Sequence, residues 1–142
     1  MAGFGDTMEA DILKLIFQAV TIADLAENDT TSPATNITVA LHTADPGDSG
    51  TQSTNETAYT GYSRVNVART TGGWAITGNS ISPVANIDFG ECTASPGGAL
   101  THWSVGTGVS NKMIGSGTLS PNITMSTGVV PRIKTTSTIT LD

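Results

Sequence analysis

The alternation of side chains on both sides of a long polar loop constrains the fold of this chain most. Ile37, Val39 and Leu41 face one way while the residues between them face the other, which is the period of a half-buried strand. Residues 44–47 (ADPG) predict a turn, because proline fixes φ, glycine frees it and aspartate bonds its own backbone. A Ser/Thr/Asn-rich loop follows, and the alternation resumes in residues 62–69. A strand, a long exposed loop and a second strand favour an interaction scaffold over an active site.

Short strands separated by glycine and proline turns continue to the end of the sequence. This spacing predicts a mainly β chain with eight or nine strands in a β-sandwich, for which a jelly-roll topology is favoured. The predicted strands lie near 36–43, 62–69, 74–77, 80–84, 87–89, 99–106, 112–119, 122–126 and 132–141. The predicted core residues are Trp74, Phe89, Trp103, Val105 and Ile114.

One α-helix is predicted ahead of the strands, over residues 6–26. Asp6 caps its start, and Glu9 three residues later completes a capping-box pattern. Ile12 and Ile16 lie on a broad apolar stripe that covers one end of the sandwich or, alternatively, docks on a neighbouring subunit. The length of 142 residues predicts a single domain over 1–142, with the sandwich over 36–141.

The composition excludes several classes of protein. Charged residues make up 13% of the chain, roughly half the usual share, whereas Ser and Thr make up roughly a quarter. A net charge of −6 argues against nucleic-acid binding, which needs a basic surface. No apolar run is long enough to span a membrane. The single Cys92 excludes an internal disulfide.

Candidate catalytic and metal-binding patterns are weak, so we expect no enzyme, no cofactor and no metal. Residues 47–50 (GDSG) match the nucleophile loop of trypsin-like proteases, but His42 lies only seven residues before Ser49 and the chain is short for that double barrel. Weak calcium binding by Asp45, Asp48 and Glu56 is an alternative whose spacing matches no EF-hand. A final pair, Asp88 and Glu91, is typical of a solvated strand end rather than of a glycosidase site.

Four residues around the second strand are the predicted interaction site. Arginine and tyrosine dominate interface hot spots, and these types cluster here as Tyr59, Tyr62, Arg64 and Arg69. The alternative is that they are ordinary outer-face residues. Exposed sheet edges offer a second way to bind neighbours, by strand addition.

Several of these segments together resemble a family of small virion proteins of tailed bacteriophages. They are LHTADPGDSG (41–50), a Glu–Tyr–GYxRV block (56–65), NSISPVANIDFG (79–90) and THWSVGT (101–107). The likeness spans residues 8–140. It implies a short N-terminal helix ahead of a β-sandwich and a place in the virion, after synthesis in the host cytoplasm. Members are variously described as capsid cement or decoration proteins and as tail-fibre proteins.

The expected function is that of a capsid cement protein. Such a protein binds the major capsid protein on the outer capsid surface, self-associates as a dimer or trimer, and reinforces the shell. A tail or tail-fibre component, with recognition of a host glycan as one role, is the alternative, and a soluble carbohydrate-binding or hydrolytic module is a third. Aromatic residues make up only 5% of the chain, which is little for a sugar-stacking platform. No repetitive shaft is present, and this favours cement over fibre.

Overall fold

A computed structural model describes residues 6–21, 34–108 and 111–141. The protein is mainly β, with one helix near the N-terminus and several antiparallel sheets, as predicted. The chain divides into two compact units. Unit 1 comprises residues 1–36, 68–86 and 134–142, and unit 2 comprises residues 37–67 and 87–133. The single domain and the jelly-roll connection stay predictions.

The helix and nine strands of the described residues follow one another in a simple order. They are α1 (Asp6–Gln18), β1 (Asn36–His42), β2 (Val65–Ala68), β3 (Trp74–Thr77), β4 (Ser80–Pro83), β5 (Ile87–Asp88), β6 (Leu100–Gly106), β7 (Met113–Ile123), β8 (Arg132–Ile133) and β9 (Ile139–Thr140). The long predicted strand over 132–141 is therefore wrong, because it is two short strands, one in each unit. In place of the two strands predicted over 112–119 and 122–126 there is one strand, β7, which ends at Ile123.

Unit 1 packs α1 against the three-stranded sheet β3-β4-β9. Phe17 meets Trp74 edge to face, with ring centroids 5.1 Å apart, and both side chains are at most 1% exposed. Leu13, one turn before Phe17, is also buried. This apolar contact is the core of the unit, because burial of large apolar side chains is the main source of folding free energy.

The helix ends at Gln18, so the predicted end at residue 26 is wrong for the described residues 19–21. Ala19 has a φ of 57°, a left-handed conformation that closes a helix, and the Val20 N–H donates to the Lys14 carbonyl oxygen. The Arg69 guanidinium donates to the last carbonyl oxygens, those of Leu15 and Ile16. Residues 22–26 lie outside the described residues.

Unit 2 contains two sheets, the four-stranded sheet of order β2-β1-β6-β7 and the two-stranded sheet β5-β8. Asn36 of β1 and Ala68 of β2 are assigned to unit 1. The prediction that β1 is half-buried is wrong, because six of its seven residues are buried. Ile37, Val39 and Leu41 form one face and are at most 2% exposed. The opposite face, with Thr38 and His42, is polar but equally closed to solvent.

Four of the five predicted core residues are buried, and the fifth is not. Trp74, Phe89, Trp103 and Val105 are at most 3% exposed. Ile114 is only half-buried, because the ladder between β6 and β7 shifts register there. Met113 and Gly115 pair with successive residues of β6, so Ile114 is the extra residue of a β-bulge, which disrupts the local pairing.

Candidate functional site

The loop between β1 and β2 is tied to the sheet of unit 2 rather than standing free. Its central segment, residues 51–57 (TQSTNET), is called the strap below. The Thr43 N–H donates to the Asn55 oxygen at 2.9 Å, and the Thr57 N–H donates to the Leu41 oxygen at 3.0 Å. The strap therefore continues the sheet along the edge of β1. Gln52 and Thr57 are buried within it, so the expectation of an exposed loop is wrong for these residues.

Arg64 clamps the strap from the start of β2. Its Nε and Nη2 donate to the two carboxylate oxygens of Glu56, each at 2.7 Å. The same guanidinium donates to Ser53 Oγ at 3.1 Å and to Asn111 Oδ1 at 2.9 Å. The side chains of the ion pair are 21% and 18% exposed. A bidentate, partly desolvated pair of this kind fixes both position and orientation.

Tyr62 completes the Glu56 site. Its hydroxyl donates to Glu56 Oε1 at 2.8 Å and accepts the Leu41 N–H at 3.2 Å. Burial raises the pKa of Glu56, but hydrogen bonds from Arg64 and Tyr62 together bring this pKa below its ordinary value. Burial raises the pKa of Tyr62 far above its usual range. The pKa of Arg64 is raised by its bond to Glu56. The cluster is thus a locked anion–cation pair rather than a proton donor or acceptor poised near neutral pH.

Tyr59 is packed inside unit 2, where it is 3% exposed. Its hydroxyl donates to the Gly90 oxygen at 2.8 Å, and its ring meets Tyr62 edge to face. Burial raises the pKa of Tyr59 to about 12. Gly61 and Gly90 allow the two backbone segments to cross here, since a Cβ on Gly90 would lie 1.9 Å from the Gly61 oxygen.

Arg69, the fourth predicted site residue, lies in unit 1 and holds the end of α1. Besides the carbonyl oxygens of Leu15 and Ile16, its Nη1 reaches the Ala34 oxygen at 3.2 Å. The structure therefore brings Tyr59, Tyr62 and Arg64 together in unit 2 and places Arg69 in the other unit. The predicted partner contacts of all four stay a prediction.

A buried polar chain behind the strap escaped the sequence-based prediction. His42 Nδ1 lies 2.9 Å from the Thr54 carbonyl oxygen, and His42 Nε2 lies 2.7 Å from Ser104 Oγ. A carbonyl only accepts, so Nδ1 carries the proton and Ser104 donates to Nε2. Burial lowers the pKa of His42. Polar residues alternate along both β1 and β6. In a sequence this alternation is typical of a face exposed to solvent, so it gave no indication of a buried polar chain.

The His42–Ser104 pair is not arranged for catalysis. Both residues are 0% exposed, and the Nδ1 partner is a carbonyl oxygen rather than a carboxylate. Ser49 of the GDSG motif is exposed on the loop, while the histidine is bonded to Ser104. Asp88 forms an exposed ion pair with Arg132 at the end of β5.

The described residues hold neither a metal-binding group nor a membrane-spanning helix. Within residues 6–21, 34–108 and 111–141, no three of the His, Cys, Asp and Glu side chains are grouped to hold a metal ion. The helical residues that the structure describes form no segment long and apolar enough to cross a membrane.

Comparison with known families supplies the context that the geometry lacks. The model of the family described as podophage GP4 fiber I protein gp80 matches residues 3–141. The chain belongs to this family. As a gp80-family member it is a bacteriophage virion protein of a structural, non-enzyme family, which confirms the phage virion part of the resemblance found in the sequence. No curated protein matches the chain.

Proposed function

We propose that this chain is a non-enzymatic structural component of the fibre apparatus of a podophage virion. The family match over residues 3–141 carries the proposal, because the family is described as a fibre protein. The geometry supports the non-enzymatic part of this proposal. The polar groups of Glu56, Tyr62 and Arg64 are engaged in hydrogen bonds with one another. Ser104 and His42 are buried, so no substrate can reach them.

The proposed contact surface is the outer rim of the loop between β1 and β2. While the strap is closed, its hydrogen bonds hold the loop backbone against the sheet, so the exposed side chains lose little conformational freedom on binding. They are rich in hydroxyl, amide and carboxylate groups. The exposed members are Asp45, Asp48, Ser49, Thr51, Ser53 and Asn55. A polar surface of this kind suits a wet, hydrogen-bonded contact with another virion protein.

Self-association is proposed through the outer edge of β7. This strand ends the order β2-β1-β6-β7 and has no backbone partner on its outer side among the described residues. Residues 113–123 carry no charged side chain, although charged residues are a common protection of an exposed edge. Thr118→Lys, an exposed position on β7, should therefore weaken self-association in analytical ultracentrifugation. Ser126→Lys, exposed but outside the strands, is the control, and equal behaviour of both variants would exclude this edge.

Capsid cement is the second candidate, favoured by the absence of a repetitive shaft in the sequence. In that case the partner is the major capsid protein. Copy number separates the two candidates, because symmetry fixes the number of each kind of site in a particle. We expect quantitative mass spectrometry of purified virions, with the major capsid protein as internal standard, to give a few copies set by the tail symmetry. A number comparable to that of the capsomers would support cement instead.

A further inference from the structure

The strap has an unusual attachment for a segment with buried residues. Its sequence, TQSTNET, contains no large apolar side chain, so it is held to unit 2 by hydrogen bonds and one ion pair. Besides the bonds to Leu41 and Thr43, the Gln52 N–H donates to the Asn111 oxygen and Gln52 Nε2 donates to the Thr38 oxygen, at 3.0 and 2.9 Å. Segments with few buried apolar contacts are the first to open locally.

A directional chain of donors runs from the strap through the sheet and back to the strap. Gln52 Nε2 approaches Ser104 Oγ at 3.5 Å, Ser104 donates to His42 Nε2, and His42 Nδ1 donates to the Thr54 oxygen. Gln52 and Thr54 at the two ends belong to the strap, whereas Ser104 and His42 belong to β6 and β1. Each member donates in the same sense, which requires a neutral imidazole.

Protonation of His42 breaks this order. The new Nε2–H must donate to Ser104 Oγ, so the Ser104 hydroxyl hydrogen loses its acceptor in a site that is closed to water. Gln52 Nε2, the neighbour of Ser104 Oγ, is a donor held by the Thr38 oxygen and cannot accept this hydrogen, and Gln52 Oε1 makes no hydrogen bond to Ser104 in this arrangement. A buried charge and an unpaired buried donor each cost free energy that exposure to water relieves.

The charged and titratable groups around His42 do not cancel this cost. Burial has the largest effect on its pKa and lowers it. The Glu56 carboxylate acts in the opposite direction, but its charge is already engaged by Arg64 and by the Tyr62 hydroxyl. The Arg64 guanidinium and His102, directly opposite on β6, also disfavour a cation at His42.

We propose that the strap is an acid-released element: protonation of His42 detaches residues 51–57 from the edge of β1. Release frees the Thr43 N–H and the Leu41 carbonyl oxygen, two groups that an added strand can pair with. An exposed histidine titrates near about 6.5, so the ratio of open to closed strap rises by up to about tenfold for each pH unit below that value. The device does not depend on where in the virion the protein sits.

Amide hydrogen exchange on the full chain tests this. After correction for intrinsic rates, lowering the pH from about 7 to about 5.5 should reduce the protection of Thr57 and Gln52 by up to about eightfold relative to the amides of β6. His42→Asn keeps an N–H donor near the Thr54 oxygen but does not titrate, and it should remove this difference. His102→Asn is the matched control and should retain it.

Two results would overturn the proposal. One is a change of less than about twofold in strap protection relative to β6 over this pH range, and the other is the same pH dependence in His42→Asn. If His42→Asn does not fold, the imidazole of His42 in the unaltered chain is titrated by NMR instead. Protonation of His42 and loss of strap protection must then share one midpoint, and separate midpoints would contradict the proposal.

Discussion

The helix of unit 1 and the strap of unit 2 are held in place by opposite kinds of contact. Phe17 and Leu13 anchor α1 by apolar burial, whereas the strap relies on Arg64, Glu56 and the hydrogen bonds of His42. Apolar burial does not depend on the pH, whereas ionic contacts and hydrogen bonds of titratable groups do, and ionic contacts are also screened by salt. One chain therefore contains an element that resists a change of conditions and an element that responds to it.

The largest effect is expected in the apolar anchor. Phe17→Ala removes a ring that is 1% exposed and leaves a cavity against Trp74, which should lower the free energy of unfolding by about 3–5 kcal/mol. Urea denaturation at several pH values measures it, and the loss should be the same at each. Val20→Ala, at a position that is 43% exposed, is the control. A loss that varies strongly with pH would erase the contrast between the two units.

The clamp of the strap should show an intermediate effect. Arg64→Ala leaves the Glu56 carboxylate half-buried without its bidentate partner, which should cost about 2 kcal/mol after allowance for the partial exposure of the pair. Arg132→Ala removes the exposed ion pair with Asp88 and should leave the denaturation midpoint unchanged. Equal effects of the two substitutions would mean that the clamp is no stronger than an ordinary surface pair.

Acid sensitivity should separate the ionic contacts from the apolar ones. Because the pKa of Glu56 is lowered in the folded chain, its contribution to stability is present above its unfolded value of about 4.3 and is lost as the pH falls through the folded value. Glu56→Gln should therefore reduce the dependence of the unfolding free energy on pH below about pH 4.5. Denaturation followed by circular dichroism at several pH values measures this dependence. An unchanged profile in this variant would assign the acid response to other carboxyl groups.

How much the sequence predicts differs between the same two regions. The bounds of β1 follow from its alternation and the ADPG turn, yet burial of its polar face depends on Gln52 and Ser104, which no local pattern connects to His42. The helix begins at Asp6, as predicted. Its end differs from the prediction, because Ala19 takes a left-handed conformation and the cap is Arg69, over fifty residues away. Local periodicity finds strands and helices, whereas long-range polar contacts decide where they stop.

The predicted interaction residues show the same limit. Tyr62 and Arg64 have the residue types of an interface hot spot, but the structure uses their polar atoms for Glu56 and Leu41. Residue type alone does not distinguish a side chain that binds a partner from one that binds its own loop. The exposed rim of the loop, rich in Ser, Thr and Asn, is part of the interaction scaffold that the sequence predicts.

The smallest effect is expected at the protease-like motif. Ser49 is exposed on the loop, and the imidazole of His42 is bonded to Ser104 and Thr54. Ser49→Ala should leave stability and virion yield unchanged, as measured by denaturation and plaque assay. A serine-directed phosphonate should not label the chain, and labelling of Ser49 would contradict the structural role.

The central claim, that the chain is a structural component of the fibre, is tested most directly by locating the protein on the intact particle. Gold-labelled antibody against the chain, imaged by electron microscopy on purified virions, should mark the fibres at the tail and leave the capsid faces bare. Label spread evenly over the capsid would contradict the fibre assignment and support a cement protein on the shell.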